Sequence, residues 1–216
     1  MRIGDALEPV WSPLDPSRCA ACNATGEWLC ASCRGRSETY PAYSSKPTGL
    51  DAVYVAYDYR GPVRELVHRF TYDGLRAAGG WMSAQMAPRL EDGPTVLVTI
   101  PLHRSRERER GYNQAAVLAN GVARRTGIPT RGLLSRTRST PPQALLSAAE
   151  RRLNVRGVFE ANPGARATDT VVLVDDVCTT GSTMGECAEL LRGIGSTRVV
   201  GLVFAKPAGG VIELGM

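Results

Sequence analysis

The stretch that most limits how this chain can fold covers residues 171–183 and reads VVLVDDVCTTGST. Its apolar, β-branched start is typical of a strand that is buried on both faces of a parallel sheet. Backbone amides in a loop without side-chain bulk can converge on an anion, and a following helix directs the positive end of its dipole to the same point. The stretch therefore predicts a strand, an anion-binding loop and a helix, with the loop formed by Thr179, Thr180, Gly181, Ser182 and Thr183.

Two carboxylates, Asp175 and Asp176, stand between the apolar run and this loop. Acids would repel an anion bound in the loop unless they served another part of the same ligand. A ribose 5-phosphate meets that condition, because its hydroxyls can donate to carboxylates while its phosphate reaches the loop. The alternative is a plain strand, a pair of surface acids and a capped helix, which explains neither the small residues nor their placement. The chain has no G-K-[ST] and no G-x-G-x-x-G sequence, so the loop is neither a Walker loop nor a dinucleotide fingerprint.

Predicted strands and helices alternate from residue 50 onward. Strands are expected at residues 51–59, 95–100, 170–174 and 198–205, and helices at residues 61–70, 81–90, 113–126 and 182–194. This order predicts an α/β fold with a mostly parallel sheet flanked by helices. Ligands of such sheets bind beyond the carboxyl ends of the strands, so we expect the site at the loops after Ile100, Val174 and Ala205.

Four of the six cysteines form two C-x-x-C pairs, which are Cys19 with Cys22 and Cys30 with Cys33. Two such pairs can present four thiolates to one ion, and an all-thiolate tetrahedral site is typical of structural zinc. Two disulfides or a redox pair are the alternatives. Disulfides suit an intracellular chain poorly, and a redox pair leaves the second pair unexplained. The spacing therefore predicts a zinc module at the N-terminal end of the chain.

A change of composition follows the fourth cysteine. Residues 35–49 are rich in serine, proline and tyrosine and show no periodicity, which is typical of a linker. We therefore predict two units, a four-cysteine module with its linker at residues 1–48 and the α/β domain at residues 49–216.

The formal net charge of the chain is +5, and its positive side chains are almost all arginine, since only Lys46 and Lys206 are lysines. A coding bias explains such a skew. Arginine also grips phosphate oxygens with two parallel donors, and a basic chain suits an anionic substrate or nucleic acid. No apolar stretch is long enough to cross a bilayer, and the N-terminus lacks the apolar core of a signal peptide. The cytoplasm is the expected location.

Residues 171–183 resemble the motif with which type I phosphoribosyltransferases bind phosphoribosyl pyrophosphate (PRPP). Further segments narrow this resemblance: TIPLHRSRERERGYNQA at residues 99–115, RTRSTPPQALLSAAERRLNV followed by GVFEAN at residues 136–162, and the paired cysteines. Together they resemble the ComF family of competence-associated, phosphoribosyltransferase-like proteins. The resemblance extends from about Cys19 to Ala205.

The resemblance implies a set of site residues. PRPP would contact Asp175, Asp176, Val177, Cys178 and the loop from Thr179 to Thr183. The turn made by Pro101, Leu102 and His103 is similar to the pyrophosphate loop of these enzymes. We expect the Arg/Glu run that follows the turn to be a loop, in which Arg104 and Arg110 face pyrophosphate and other arginines are solvated. The candidate catalytic residues are Arg104, Arg110, Arg136, Asp175 and Asp176.

The segment from Arg136 to Arg152 resembles the flexible catalytic loop of the family, where Gln143, Arg151, Arg152 and Asn154 match family positions. One position departs from the family. Members commonly carry a lysine where this chain has Thr71, in the segment HRFTYDG. If that lysine contacts pyrophosphate, its replacement by threonine weakens the expected catalysis.

The implied function is transfer of the phosphoribosyl group from PRPP, bound with Mg²⁺, to a nitrogen acceptor with release of pyrophosphate, linked to competence and DNA uptake. The alternative is a non-catalytic accessory protein that binds PRPP or a nucleotide and contacts single-stranded DNA or a DNA-uptake helicase. Few aromatic residues accompany the arginines, which counts against a surface on which bases stack, and Tyr112 is the only obvious candidate beside the arginine run.

Overall fold

The computed structural model describes residues 17–40, 49–90, 96–139 and 157–208. The strands in these ranges are β1 (Ala52–Asp58), β2 (Val96–Thr99), β3 (Leu134–Arg136), β4 (Phe159–Ala161), β5 (Thr170–Val177) and β6 (Arg198–Lys206). The α-helices are α1 (Ala31–Gly35), α2 (Gly61–Tyr72), α3 (Gly79–Met86), α4 (Arg104–Arg110), α5 (Gln114–Thr126) and α6 (Ser182–Gly193).

Four strands form one parallel sheet in the order β1–β6–β5–β2. The apolar runs of β5 and β6 are buried, as expected for central strands that are covered on both faces. The predicted α/β fold with a mostly parallel sheet and flanking helices is therefore confirmed. This strand order brings the carboxyl ends of β5, β6 and β2 to the same edge of the sheet.

Helices pack on both faces of this sheet. The core on one face takes large side chains from α2, α3 and α5, among them Leu66, Phe70, Met82 and Leu118. The core on the other face takes side chains from α6, among them Met184, Cys187 and Leu191. Strand β1 contributes alternate residues to the two cores, because successive side chains of a strand point to opposite faces.

Helix α6 approaches its neighbours closely because glycines line its contacts. A Cβ atom at Gly49 would lie 3.2 Å from the carbonyl oxygen of Gly185, and one at Gly201 would lie 3.2 Å from Sδ of Met184. Both distances are shorter than ordinary van der Waals contact, so a larger residue at Gly49 would press on the backbone of α6, and one at Gly201 would press on the side chain of Met184. The close packing fixes the amino end of α6 beside the end of β5.

The Arg/Glu run at residues 104–110 is helix α4, and our prediction of a loop there was wrong. The side chain of His103 accepts a hydrogen bond from the amide of Ser105, which caps the first turn. Gly111, at φ 80°, ends the helix in the left-handed conformation. Arginine and glutamate are good helix formers, but a run without apolar residues has no periodicity that would reveal a helix.

Strands β3 and β4 form a short antiparallel pair that we did not predict. Each has three residues, which is too short for an alternating pattern to stand out. Residues 140–156, between them, lie outside the described ranges. Helix α1 was not predicted either, whereas the remaining elements agree with their predicted positions to within a few residues, and Gly127 ends α5 as expected.

The four-cysteine segment packs directly on the α/β domain. Buried Cys19, Leu29 and Cys33 belong to the same core as the apolar face of α2. Residues 38–40 also pair with the free edge of β1, where the amide of Asp58 donates to Glu38 and the amide of Tyr40 donates to Ala56. The division of the chain at residue 48 stays a prediction. Among the described residues, no helix is long and apolar enough to cross a membrane.

Candidate functional site

Asp175 and Asp176 occupy the carboxyl end of β5, which extends three residues beyond its predicted end, to Val177. Both side chains are half-buried. Burial, and after it the charge of Asp176, raise the pKa of Asp175 well above the usual range of aspartate. The guanidinium of Arg110 acts in the opposite direction but does not cancel these effects. A ligand that brings a cation or donor groups to Asp175 would favour its ionised form.

Asp176 is fixed by a donor on each carboxylate oxygen. Its Oδ1 accepts a hydrogen bond of 2.8 Å from the amide of Val177, and its Oδ2 accepts one of 3.0 Å from Oγ1 of Thr71. Thr71 is the residue at which the resemblance to the ComF family implied a lysine. The sequence contains no signal for this contact, which joins residues 105 positions apart.

The small-residue loop leads directly from β5 into α6. Gly181, at φ 77°, takes the left-handed conformation that glycine adopts without strain. The hydroxyl groups of Thr180 and Ser182 lie 2.8 Å apart, and the first turn of a twelve-residue helix follows. The amino end of such a helix presents backbone N–H groups and a positive dipole end, so the loop has the geometry of an anion site.

Cys178 precedes the loop and is buried beneath it. Its amide donates to the carbonyl of Ala205 over 3.1 Å, which closes the end of β5 onto β6. Burial raises the pKa of its thiol to about 12, so the side chain is a neutral thiol at physiological pH. In the loop that follows β5, the groups that are open to a ligand therefore begin at Thr179.

Three arginines, Arg106, Arg110 and Arg136, influence the pKa of Asp175 or of one another. Burial lowers the pKa of Arg136, the charge of Arg106 lowers it further, and the charge of Asp175 raises it. Arg110 also acts on both Arg136 and Asp175. Arg136 and Arg110 thus lie near Asp175, and Arg106, which we did not select, lies near Arg136. Arg104 is exposed at the first residue of α4. Pro101, Leu102 and His103 connect β2 to that helix and are half-buried.

The segment Tyr112, Asn113 and Gln114 ties this edge of the sheet together, which the sequence did not reveal. The hydroxyl of Tyr112 donates to the carbonyl of Phe70, and Nε2 of Gln114 donates to the carbonyl of Thr71 over 3.3 Å. Nδ2 of Asn113 donates to the carbonyl of Ile100 over 3.2 Å. The segment therefore links α2 to the end of β2. Tyr112 is buried, so its ring, our candidate for stacking, is not open to a base.

The four predicted residues of the flexible catalytic loop lie outside the described residues. They are Gln143, Arg151, Arg152 and Asn154. Their roles stay predictions.

The cysteine cluster has the geometry of a metal site. The sulfur atoms of Cys19, Cys22, Cys30 and Cys33 all lie within 4.8 Å of one another, and those of Cys22 and Cys30 are 3.6 Å apart. A tetrahedral zinc site with bonds of about 2.3 Å places its sulfur atoms roughly 3.8 Å apart, so a small contraction of the cluster would suit the ion.

The protein stabilises negative charge at Cys19 of this cluster, whereas burial raises the pKa of Cys33 to about 12 despite the hydrogen bond from Arg36. Burial alone would raise the pKa of Cys19, but hydrogen bonds from backbone amides, including that of Cys30, outweigh burial and lower the pKa to about 6. Nη2 of Arg36 donates to Sγ of Cys33 over 3.2 Å. Because the thiolate is the form that binds metal, both donors favour occupation of the site. The described residues thus contain a four-cysteine cluster that could hold a metal ion.

Sequence comparisons identify a domain family and several proteins that are similar to this chain. A family model described as "Phosphoribosyl transferase domain" matches residues 112–211. The DNA utilization protein YhgH of Salmonella typhimurium is 30% identical over 185 residues, which are 79% of this chain and 81% of that protein. Competence protein F of Haemophilus influenzae is 29% identical over 188 residues, which are 82% of this chain and 79% of that protein.

A solved structure is also similar, the glutamine phosphoribosylpyrophosphate amidotransferase of B. subtilis complexed with ADP and GMP. It is 25% identical, with 74% of this chain and 29% of that chain covered and a TM-score of 0.39, a likeness too low to support any conclusion about this chain.

Proposed function

Since this chain belongs to the ComF family of competence-associated proteins, we propose that it binds PRPP and transfers the phosphoribosyl group to a nitrogen acceptor. The observation that carries this proposal is the placement of the Asp175 and Asp176 carboxylates at a strand end, directly before a helix-capping loop that suits a phosphate. The 5′-phosphate would bind at residues 179–183, and the ribose hydroxyls would donate to the two carboxylates. Binding at both ends of the ribose phosphate fixes the position of the anomeric carbon.

In the proposed reaction, the bond between C1 of the ribose and the pyrophosphate oxygen breaks, and a bond from C1 to the acceptor nitrogen forms. The pair of electrons of the broken bond leaves with pyrophosphate, and the proton that the acceptor nitrogen loses goes to pyrophosphate or water. Arg110 and Arg136 lie near Asp175, where they would stabilise the charge that develops on the leaving group. The carboxylate oxygens are donors of the type that Mg²⁺ prefers, so Asp175 and Asp176 fit an ion bound with PRPP. Such an ion would neutralise part of the negative charge of pyrophosphate.

We further propose that the four cysteines hold one structural zinc ion. All four coordination positions would be filled by thiolates, which leaves no position for a substrate or water. The ion would therefore hold residues 17–40 against α2 and take no part in the transfer reaction.

Titration calorimetry tests PRPP binding and the protonation of Asp175 together. We expect wild-type protein to bind PRPP with Mg²⁺ and to release a proton, because binding favours the ionised form of a carboxyl whose pKa is raised in the empty site. The affinity should rise with pH from the usual pKa of aspartate up to the raised value. Titrations in buffers of different ionisation enthalpy measure the proton release.

The phosphates of PRPP also exchange protons, so the Asp175→Asn variant is the control. The difference in proton release between the two proteins isolates the proton of Asp175. No heat of binding from wild-type protein would contradict the proposed function. Equal proton release from both proteins would contradict the protonation of Asp175 but not the binding of PRPP.

Release of pyrophosphate distinguishes an enzyme from a binding protein. An assay over a broad panel of nucleobases and amines should find at least one acceptor that accelerates pyrophosphate release. If PRPP binds but no acceptor is found, the non-catalytic alternative gains support.

One observation favours contact with single-stranded nucleic acid as a second candidate function. Tyr72 at the end of α2 is 60% exposed, its ring lies 5.0 Å from that of His68, and the guanidinium of Arg110 lies 5.1 Å from its ring centroid. An exposed aromatic ring beside an arginine is typical of a surface on which bases stack. Tyr72 thus takes the place for which Tyr112 was our candidate, and the names of the relatives, with "competence" and "DNA utilization", agree with such a role.

Under this second function, Tyr72→Ala should weaken binding of a fluorescent oligothymidine by about 5- to 100-fold, the range for loss of one stacked base. The affinity of the wild type should also fall steeply with salt, because phosphate contacts release counterions. Exposed Tyr72 contributes little to the core, so unchanged thermal stability is the control. Equal binding by both proteins, or no binding by either at low salt, would refute this function.

A further inference from the structure

Thr71, on α2, makes a side-chain hydrogen bond to the Asp176 carboxylate at the end of β5. Its hydroxyl donates to Oδ2 over 3.0 Å, and the residue is 8% exposed. Hydrogen bonds to ionised acceptors are stronger than those between neutral groups, and burial strengthens them further. Because the amide of Val177 holds the other oxygen, the two donors together fix the plane of the carboxylate. A carboxylate accepts about four hydrogen bonds, so each oxygen keeps capacity for a ligand hydroxyl.

Thr71 is itself held by side chains from the start of α5. It lies in the last turn of α2, where backbone carbonyls have no partner within the helix. Tyr112 and Gln114 supply that partner, since they donate to the carbonyls of Phe70 and Thr71. Gln114 is buried, so its contact is sheltered from water. The end of α2 is thus anchored at the point where it meets Asp176.

The same turn of α2 is held from its other side by the four-cysteine segment. Nη1 of Arg69 donates over 3.3 Å to the carbonyl of Ala20, which lies between Cys19 and Cys22. The apolar face of α2 also shares one core with Cys19, Leu29 and Cys33. A shift of the cysteine segment would therefore move the helix that carries Thr71.

We propose that Thr71 is a positioning residue that holds the Asp176 carboxylate toward the bound sugar, and that α2 ties this residue to the four-cysteine segment. The inference rests on the proposed binding of PRPP. It adds that α2 and the four-cysteine segment, which lie outside the ligand site, hold one of the carboxylates of that site in place. It assigns a role to the residue that replaces the lysine of related chains. In this chain, Thr71 donates the hydrogen bond of its hydroxyl to Asp176, one of the acids of the proposed site.

Two substitutions at Thr71 separate positioning from packing. Thr71→Val keeps the shape of the side chain but removes the donor, whereas Thr71→Ser keeps the donor and removes a methyl group. We expect Thr71→Val to weaken PRPP binding by about 10-fold or more, the effect of losing one hydrogen bond to a charged group. Thr71→Ser should bind within about 2-fold of the wild type. A residue that only packs would give the reverse order, because serine loses more buried volume than valine.

Arg69→Met tests the link to the cysteine segment. The substitution removes the donor to Ala20 and keeps an apolar side chain for packing. We expect about 3-fold weaker PRPP binding, and faster amide hydrogen exchange both in the last turn of α2 and at residues 19–22. Arg124→Met is the matched control, because Arg124 is exposed on α5.

The outcomes separate the inference from the proposed function. If the wild type does not bind PRPP, the proposed function fails and the inference fails with it. If the wild type binds and Thr71→Val binds equally well, the inference alone is wrong. A folded Arg69→Met protein with wild-type affinity and exchange would overturn the link to the cysteine segment. Melting curves without ligand show whether each variant is folded before it is titrated.

Discussion

Replacement of both Asp175 and Asp176 by asparagine is expected to weaken the binding of PRPP with Mg²⁺ at least about 100-fold. Each carboxylate would lose a hydrogen bond between a charged acceptor and a ribose hydroxyl, which contributes about 1.5–3 kcal/mol. The double variant also loses the negative charge that attracts Mg²⁺. Equilibrium dialysis with labelled PRPP measures the affinities of wild type and variant.

Asp175→Asn alone should stabilise the protein in the absence of PRPP. Folding raises the pKa of this carboxyl, so between its usual and raised pKa values the folded state binds more protons than the unfolded state. Stability from this group is therefore full at low pH and is lost as pH rises through the raised pKa. At neutral pH, Asp175→Asn should melt at a higher temperature than the wild type while it binds PRPP less tightly.

Glu189→Gln is the matched charge control, because Glu189 is exposed on α6. It should change neither the affinity nor the melting temperature to a comparable extent. Unchanged PRPP affinity in the double aspartate variant would refute the assignment of these carboxylates. A lower melting temperature for Asp175→Asn would contradict the raised pKa of Asp175 but would leave the binding assignment in place.

Substitution of Cys19 and Cys33 by serine is expected to remove about one zinc ion per chain. Both cysteines are buried, and their segment packs in the core that contains the apolar face of α2. Because metal binding by such a cluster is coupled to folding, we expect a loss of about 3 kcal/mol or more of stability. For a chain of this size, that loss corresponds to a melting temperature lower by roughly 6–12 °C.

Zinc content is measured on protein purified without chelator or oxidant, and melting is followed by calorimetry. Cys187→Ser is the control, since Cys187 is also buried but lies on α6, outside the cluster. It should keep the zinc content of the wild type even if it melts earlier. Wild-type protein without bound zinc would refute the predicted metal. A zinc-free variant with unchanged melting would show that the ion does not support the fold.

The features that could be predicted from the sequence are those carried by local patterns. The apolar run before Asp175 predicted a buried parallel strand, and the small residues after Cys178 predicted the loop at the start of α6. The spacing of the cysteines predicted four sulfur atoms in one cluster, and the structure places them together. In each of these cases, residues that are neighbours in sequence determine the geometry.

The features that could not be predicted depend on contacts between distant residues or on patterns without apolar periodicity. Helix α4 contains only charged residues and a serine, so no hydrophobic face marked it. Thr71 and Asp176 are 105 residues apart, and only the packing of α2 against the end of β5 joins them. The same holds for Tyr112, whose place beside the arginines suggested an exposed ring but whose hydroxyl is bound to the end of α2.

A crystal structure of the protein with PRPP and Mg²⁺ tests the central claim most directly. We predict the 5′-phosphate within hydrogen-bonding distance of backbone amides in residues 179–183, and the ribose hydroxyls on the carboxylates of Asp175 and Asp176. A sugar bound elsewhere, or a loop filled by the protein's own side chains while PRPP is bound at another surface, would contradict the account.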